Sequence, residues 1–254
     1  MDDNKTFIRS AYNDDARAWA TRIRCGHNWA HEHIEKPAMQ ALLPELTHQS
    51  VLLVGCGSGE EAAMLFDKNP KSVSGIDLSD NLIALAASYE PRAQFHVMDF
   101  DELLFQDGQF DFVYSSLAFH YSSDLLKTLQ GVRRVVRPGA RIQFSLHHPL
   151  LWSADTTRTG GVSEKRFGYK RDSAAGSAAV YGDYFSRRWV SDTWFETMAI
   201  RYYHQPLSRT LSDFLASGFS LTRFVEPEPV GGDGPNFDVY SKIPLFLIIS
   251  GVAV

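Results

Sequence analysis

Val51-Leu52-Leu53-Val54-Gly55-Cys56-Gly57-Ser58-Gly59-Glu60-Glu61-Ala62 decides how this chain is read. A short apolar run stops at three alternating glycines, and an Ala-rich, helix-prone segment follows. The run is too short for an ordinary helix and reads as a strand buried on both faces. Alternating glycines allow a tight turn that approaches a ligand with no Cβ in the way. Strand, glycine turn and helix open a nucleotide-type βαβ unit.

Two ligand classes compete for such a turn. Gly57-x-Gly59-x-x-Ala62 fits the dinucleotide fingerprint, and Asp77 follows at the distance that fingerprint expects. Yet Glu60 and Glu61 open the following helix, where a pyrophosphate needs freedom from negative charge. S-adenosylmethionine (SAM) has no phosphate and a cationic sulfonium, and it tolerates acids there. The turn alone admits either ligand, or none.

Composition narrows the class. The 254 residues, 44% hydrophobic, suffice for one α/β domain with an insertion, or for two small domains. A net charge of -5 with no basic block argues against a nucleic-acid partner. Cys25 and Cys56 have neither metal nor disulfide spacing, so a reducing, cytoplasmic setting is expected. The polar start is wrong for a signal peptide, and Ile243 to Val254, broken by Pro244 and Gly251, is too short to span a membrane. A monomer or homodimer is expected.

Upstream of the turn, Ala11, Tyr12, Ala16, Trp19 and Ile23, then Ile34, Ala38, Ala41 and Leu42, keep helical spacing around a turn at Cys25 to Trp29. Residues 1–48 thus form a helical arm, either packed on the sheet edge or lying over the ligand. Downstream, Ser72 to Asp77 is a second strand, whose terminal Asp can accept from ribose hydroxyls. Ser79 and Asp80 already supply caps for the next helix, which frees Asp77 from that task. Ala93 to Val97 is the third strand, ending at Asp99, and Phe110 to Tyr114 the fourth, running into Ser115 to Tyr121. Helix Asp124 to Val136 stops at Arg137-Pro138-Gly139, and Ala140 to Leu146 is the fifth strand. Four successive strand ends carry Gly, Asp, Asp and Ser/His, on the rim where open α/β sheets bind ligands.

The chain resembles the class I SAM-dependent methyltransferases, in particular the small-molecule type 11 group. Val51 to Gly59, Gly75-Ile76-Asp77-Leu78-Ser79, Met98-Asp99-Phe100, Phe110 to Val113 and Val135 to Gly139 carry the resemblance. Ser115 to Tyr121 and Tyr203 to Leu207 extend it. It implies a Rossmann-like three-layer α/β sandwich with a seven-stranded, mostly parallel sheet of order 3-2-1-4-5-7-6. One methyltransferase domain would fill residues 1–254: arm 1–48, SAM-binding core 49–149, insertion 150–203 and the rest of the sheet 204–254. The cofactor implied is SAM, and the partner a small-molecule methyl acceptor. Gly55, Gly57 and Gly59, with Cys56 among them, would line the methionine and ribose portions. Asp77 would bind the ribose diol, Leu78 would pack on adenine, and Asp99 and Phe100 would hold its edge. Ser116 and Leu117 would lie beside the sulfonium. The family places an acid two residues before the first glycine, where this chain has Leu53. The methionine amine then needs another acceptor, either turn carbonyls or Tyr12.

Residues 150–200 are aromatic-rich, with Trp152, Phe167, Tyr169, Tyr181, Tyr184, Phe185, Trp189, Trp194 and Phe195, and are punctuated at Gly160-Gly161. A long insertion after a ligand-bearing strand end reads as a lid that excludes water, the alternative being a surface hairpin. It favours an apolar or aromatic acceptor. Pro206 to Ser217 is a helix, Phe219 to Phe224 and Ile243 to Ile249 are strands, and Pro227 to Asn236 is a flexible loop. Transfer from a sulfonium needs positioning above all, and a base only if the acceptor must lose a proton. Among His120, His147, His148 and His204, the candidates for that base are His148 and His120. No metal is expected.

Overall fold

The computed structural model describes residues 3–159, 162–195 and 197–254. The predicted turn at Gly160-Gly161 lies outside them. The arm is α1 (Asp3–Arg24), a π-helical stretch (His31–Glu35) and α2 (Lys36–Ala41). Then follow β1 (Ser50–Val54), α3 (Glu60–Phe66), β2 (Ser72–Asp77), α4 (Asp80–Tyr89), β3 (Gln94–Val97), β4 (Phe110–Ser115), α5 (Leu125–Val135) and β5 (Val136–His147). A single turn, α6 (Pro149–Trp152), leads to β6 (Asp155–Thr159), β7 (Val162–Arg166), β8 (Gly168–Asp172), β9 (Ser177–Tyr181), β10 (Arg188–Trp194) and β11 (Met198–His204). The chain closes with α7 (Leu207–Ala216), β12 (Phe219–Val225), α8 (Pro235–Tyr240) and β13 (Phe246–Ala253).

Seven strands form one sheet in the order β12-β13-β5-β4-β1-β2-β3. Counted within that sheet alone, from the other edge, this is 3-2-1-4-5-7-6. Only β13 runs antiparallel to its neighbours, β5 and β12. The apolar run of β1 serves both faces. Leu52 and Val54 pack with α5 and α7 through Leu129, Val132 and Phe214, while Val51 and Leu53 pack with α2 and α3 through Met39, Ala62 and Leu65. That is the three-layer arrangement of a sheet covered on both sides. The strand order reverses beside β1, so a crevice opens between the ends of β1 and β4.

Two strand boundaries differ from expectation. β5 begins at Val136, directly after α5, and not at Ala140. Val136 pairs with Phe110 and the next pair is Phe112 with Arg141, so residues 137–140 bulge from the ladder. The bulge accommodates Pro138, which has no N–H, and Gly139 at φ +78°. β13 starts after Pro244 and runs through Gly251 to Ala253. Gly251 pairs with Ile142 and Leu221 inside the strand, and it is glycine because a Cβ there would sit 2.5 Å from the Phe214 ring. Within the expected 227–236 loop, Pro235 starts the short helix α8. The insertion is three antiparallel two-stranded ribbons, β6–β7, β8–β9 and β10–β11. No helix among the described residues is long and apolar enough to cross a membrane.

Candidate active site

A cavity of about 450 Å³ lies over the carboxyl ends of β1 to β4. Its floor begins at the glycine turn. The N–H groups of Gly55 and Cys56 both donate to the Ile76 carbonyl at 2.9 Å, tying the turn to β2. Gly55, Gly57 and Gly59 take φ of +70°, +52° and +97°. A Cβ on Gly55 would stand 2.3 Å from that of Ala118, and one on Gly59 would press on the Ala86 backbone at 3.0 Å. A Cβ on Gly57 would meet only the Trp19 indole nitrogen, at 3.8 Å. The outer glycines are therefore required by packing. The middle one leaves open space where a ligand backbone can lie. Cys56 is buried in the core, and neither it nor Gly59 lines the cavity.

Asp77 ends β2 inside the cavity. One carboxylate oxygen accepts from Gly57 N at 3.0 Å and the other from Ser79 N at 2.9 Å. Ser79, and not Asp77, caps α4, through an acceptor bond from Leu82 N. Burial pushes the Asp77 carboxyl up, against the pull of those N–H donors. These donors orient the group within the cavity lining. Asp99 lies on the same rim, since β2 and β3 pair Asp77 with Val97. It accepts from Asp101 N and from Lys5 Nζ, the latter 2.6 Å from both Asp99 and Asp101. Leu78, Phe100, Ser116, Leu117 and Tyr12 line the cavity as well, so nine of the eleven cofactor positions converge there.

The arm supplies residues that sequence reasoning did not place at the site. Lys5, Ile8, Tyr12, Trp19 and Ile23 present one face of α1 to the cavity. Tyr12, Trp19 and Ile23 belong to the helical spacing visible in the sequence, Lys5 and Ile8 extend it by a turn or more, and only Tyr12 was assigned to the ligand. The Tyr12 hydroxyl bonds that of Tyr121 at 2.7 Å. Behind the glycine turn, His31 faces Glu35 at 3.4 Å and Glu61 at 3.5 Å. Glu35 is fully buried, and one of its oxygens accepts from Ser116 and Ser145. Its other oxygen and His31 Nδ1 are buried without a hydrogen-bond partner among the described residues. Burial pulls the His31 imidazole down, but Glu61, Glu35 and Glu32 outweigh it and hold the group at about 9. With Glu32 paired to Lys36, this corner has one more carboxylate than cation. His31 and Glu61 both line the cavity.

The insertion closes the far side. Asp192, Thr193, Trp194 and Phe195 come from β10 and its turn, and Arg158, Ser163 and Lys165 from β6–β7. Trp19 of the arm stacks on Trp194 at 6.4 Å, so arm and insertion meet above the strand ends. No residue of β8–β9 reaches the cavity, and Tyr169 and Val180 face solvent. Two of the ribbons thus contribute to the cavity wall and the third is a surface hairpin.

The structure does not bring the two histidines expected as bases to this cavity. His148 caps α6, accepting from Leu150 N at 3.2 Å, while its Nε2 lies 2.8 Å from Glu226. Both ring nitrogens are engaged, Nδ1 by the local Leu150 N–H and Nε2 by a carboxylate nearly eighty residues away that no local pattern announces. His120 is buried against Tyr202, neither ring nitrogen has a hydrogen-bond partner, and burial drives it down to about 3. His147 does line the cavity, stacked between His120 at 4.0 Å and Trp152 at 4.5 Å. Burial, with His120 beside it, holds it well below the ordinary histidine range.

The lining fits SAM on the structure's own terms. Two carboxylates stand on one rim, Gly57 leaves open space beside Trp19 of the arm, and a carboxylate-rich corner that borders the cavity through His31 and Glu61 holds buried polar atoms without hydrogen-bond partners among the described residues. Residues 52–144 match the family described as methyltransferase domain. An uncharacterised protein of Haemophilus influenzae is 24% identical over 214 residues, 81% of each chain. Trans-aconitate 2-methyltransferase of Deinococcus radiodurans is 35% identical over 134 residues, but the match spans only 51% of either chain. The crystal structure of a SAM-dependent methyltransferase from Mesorhizobium loti superposes with a TM-score of 0.71 at 25% identity, covering 86% of this chain and 97% of that one.

Proposed function

We propose that this chain, a class I SAM-dependent methyltransferase, passes its methyl group to a small molecule held between the strand ends and the insertion. The observation that carries this reading is the closure of one cavity by α1 on one side and β10 on the other. A cavity of that size, walled by the arm and the insertion, favours a small acceptor over a nucleic acid or a protein surface. The three arginines that might have formed a basic face are engaged otherwise. Arg133 donates to the Val254 carbonyl, Arg134 to those of Leu103 and Phe105, and Arg137 pairs with Asp111.

SAM supplies an activated methyl group, and the chain's work is to hold, orient and keep water out. Asp77, fixed by Gly57 and Ser79, would accept from the ribose hydroxyls. Asp99 and Phe100 would hold the adenine edge, with Lys5 fixing the Asp99 carboxylate. Glu61, backed by His31 and Glu35, would take the methionine ammonium in place of the acid missing at Leu53. Tyr12, whose hydroxyl is given to Tyr121, would serve as wall. Trp152, Trp194 and Phe195 would cover the acceptor.

The test is to incubate the protein and methyl-labelled SAM with a low-mass metabolite fraction, an RNA fraction and a protein fraction. Label is expected in the low-mass fraction alone. Label in RNA or protein instead would overturn the reading.

A further inference from the structure

The part of the cavity under the insertion is not simply apolar. Lys165 of β7 reaches in, half-buried, with its ammonium 4.4 Å from the centre of the Trp152 ring. It donates to Thr156 Oγ1 at 3.0 Å, and no carboxylate among the described residues lies within ion-pair distance of it. The nearby carboxylate, Asp192, is already paired with Arg158. Two cations therefore share one buried anion, in a space walled by Trp152 and Trp194. A partly desolvated, uncompensated ammonium is costly, and an anionic ligand group offsets that cost. Burial accordingly draws the Lys165 amine down, with Asp192 and Arg158 acting in opposite senses.

The chemistry of the same space points the same way. His147, which lines this part of the cavity, has a buried Nδ1 with no partner among the described residues to orient it. Asp192 is held by Arg158. A neutral hydroxyl acceptor would have to lose a proton here with no well-placed base to take it. An acceptor arriving as an anion needs none.

We propose, resting on the methyl-transfer reading above, that the acceptor is a carboxylic acid with an aromatic or apolar body, bound as the carboxylate at Lys165 and methylated on that oxygen. A carboxylate lone pair forms the O–CH3 bond as the C–S bond breaks, and the released pair stays on sulfur. The product is a methyl ester, and no proton moves. Trp152 and Trp194 hold the body of the acid and Lys165 selects its charge.

Binding and product both test this. With S-adenosylhomocysteine (SAH) at saturation, 1-naphthoate and its neutral isostere 1-naphthamide are titrated into the wild-type protein and Lys165→Met. Naphthoate should bind at least tenfold more tightly than the amide, and Lys165→Met should erase that preference while leaving SAH affinity within twofold. Label transferred into the low-mass fraction should be released as methanol by mild alkali. Equal binding of acid and amide, a preference that survives Lys165→Met, no binding of either probe, or alkali-stable label would overturn the proposal. Failure of the wild-type protein to bind SAH would sink the cofactor reading beneath it.

Discussion

Position 53 shows how much a single side chain redistributes. Leu53 is 1% exposed and packs among Met39, Ala62 and Phe112, so an acid there would be buried without a partner. The structure offers Glu61 instead, one turn into the site from another element, with His31 and Glu35 behind it. Charge-assisted contact with an ammonium is worth more than a neutral hydrogen bond. Glu61→Gln should therefore weaken SAH binding about tenfold, about 1.4 kcal/mol. It should leave 5′-methylthioadenosine, which has the nucleoside but no amino-acid end, unaffected. Calorimetric titration of both ligands decides this, and parallel losses or no loss would reject Glu61 as the ammonium acceptor. Positions that line the cavity were legible where chemistry and strand position coincide, as at Asp77 and Asp99. They were not legible where the role depends on a distant partner. His148 looks like a base until Glu226 is seen beside it, and Lys165 looks like one surface charge among several until Trp152 lies under it.

At the scale of elements, the sheet could be read because its strands are short apolar runs between turn residues. β1 and β5 are buried on both faces and their neighbours follow in register. The insertion resisted the same reading. Alternation arises only when one face of a strand is buried, and β6 is exposed throughout while β8 and β9 are nearly so. β11 does alternate, with Met198, Ile200, Tyr202 and His204 inward, and that signal was present in the sequence. The three ribbons differ in consequence. β6–β7 and β10–β11 wall the cavity, whereas β8–β9 contributes nothing to it. Gly168 pairs with Tyr181, so a short Gly-Ser linker can replace residues 169–180. That deletion should leave SAH affinity within about twofold and the unfolding midpoint within about 2 °C, since ribbons with two wet faces bury little. Loss of SAH binding in the shortened protein would show that the ribbon supports the site after all.

Taken whole, the molecule is a sheet whose strand ends converge on one cavity, closed by an arm that precedes the sheet and an insertion that interrupts it. The core clusters divide in the same way. Two lie on the faces of the sheet, and a third joins Ile8 and Trp19 of α1 to Ile200, Tyr202 and Trp194 of the last ribbon. That third cluster makes closure part of the fold, and binding should stabilise the whole chain, by about 2.7 kcal/mol at a hundredfold excess of ligand over Kd. The most direct measurement is calorimetric titration of the purified protein with SAH and, separately, with NADH, repeated on Asp77→Ala. One SAH site per chain, no NADH binding, and at least tenfold weaker SAH binding in a still-folded Asp77→Ala protein is the predicted result. Binding of NADH in preference to SAH, or SAH affinity indifferent to Asp77, would contradict it.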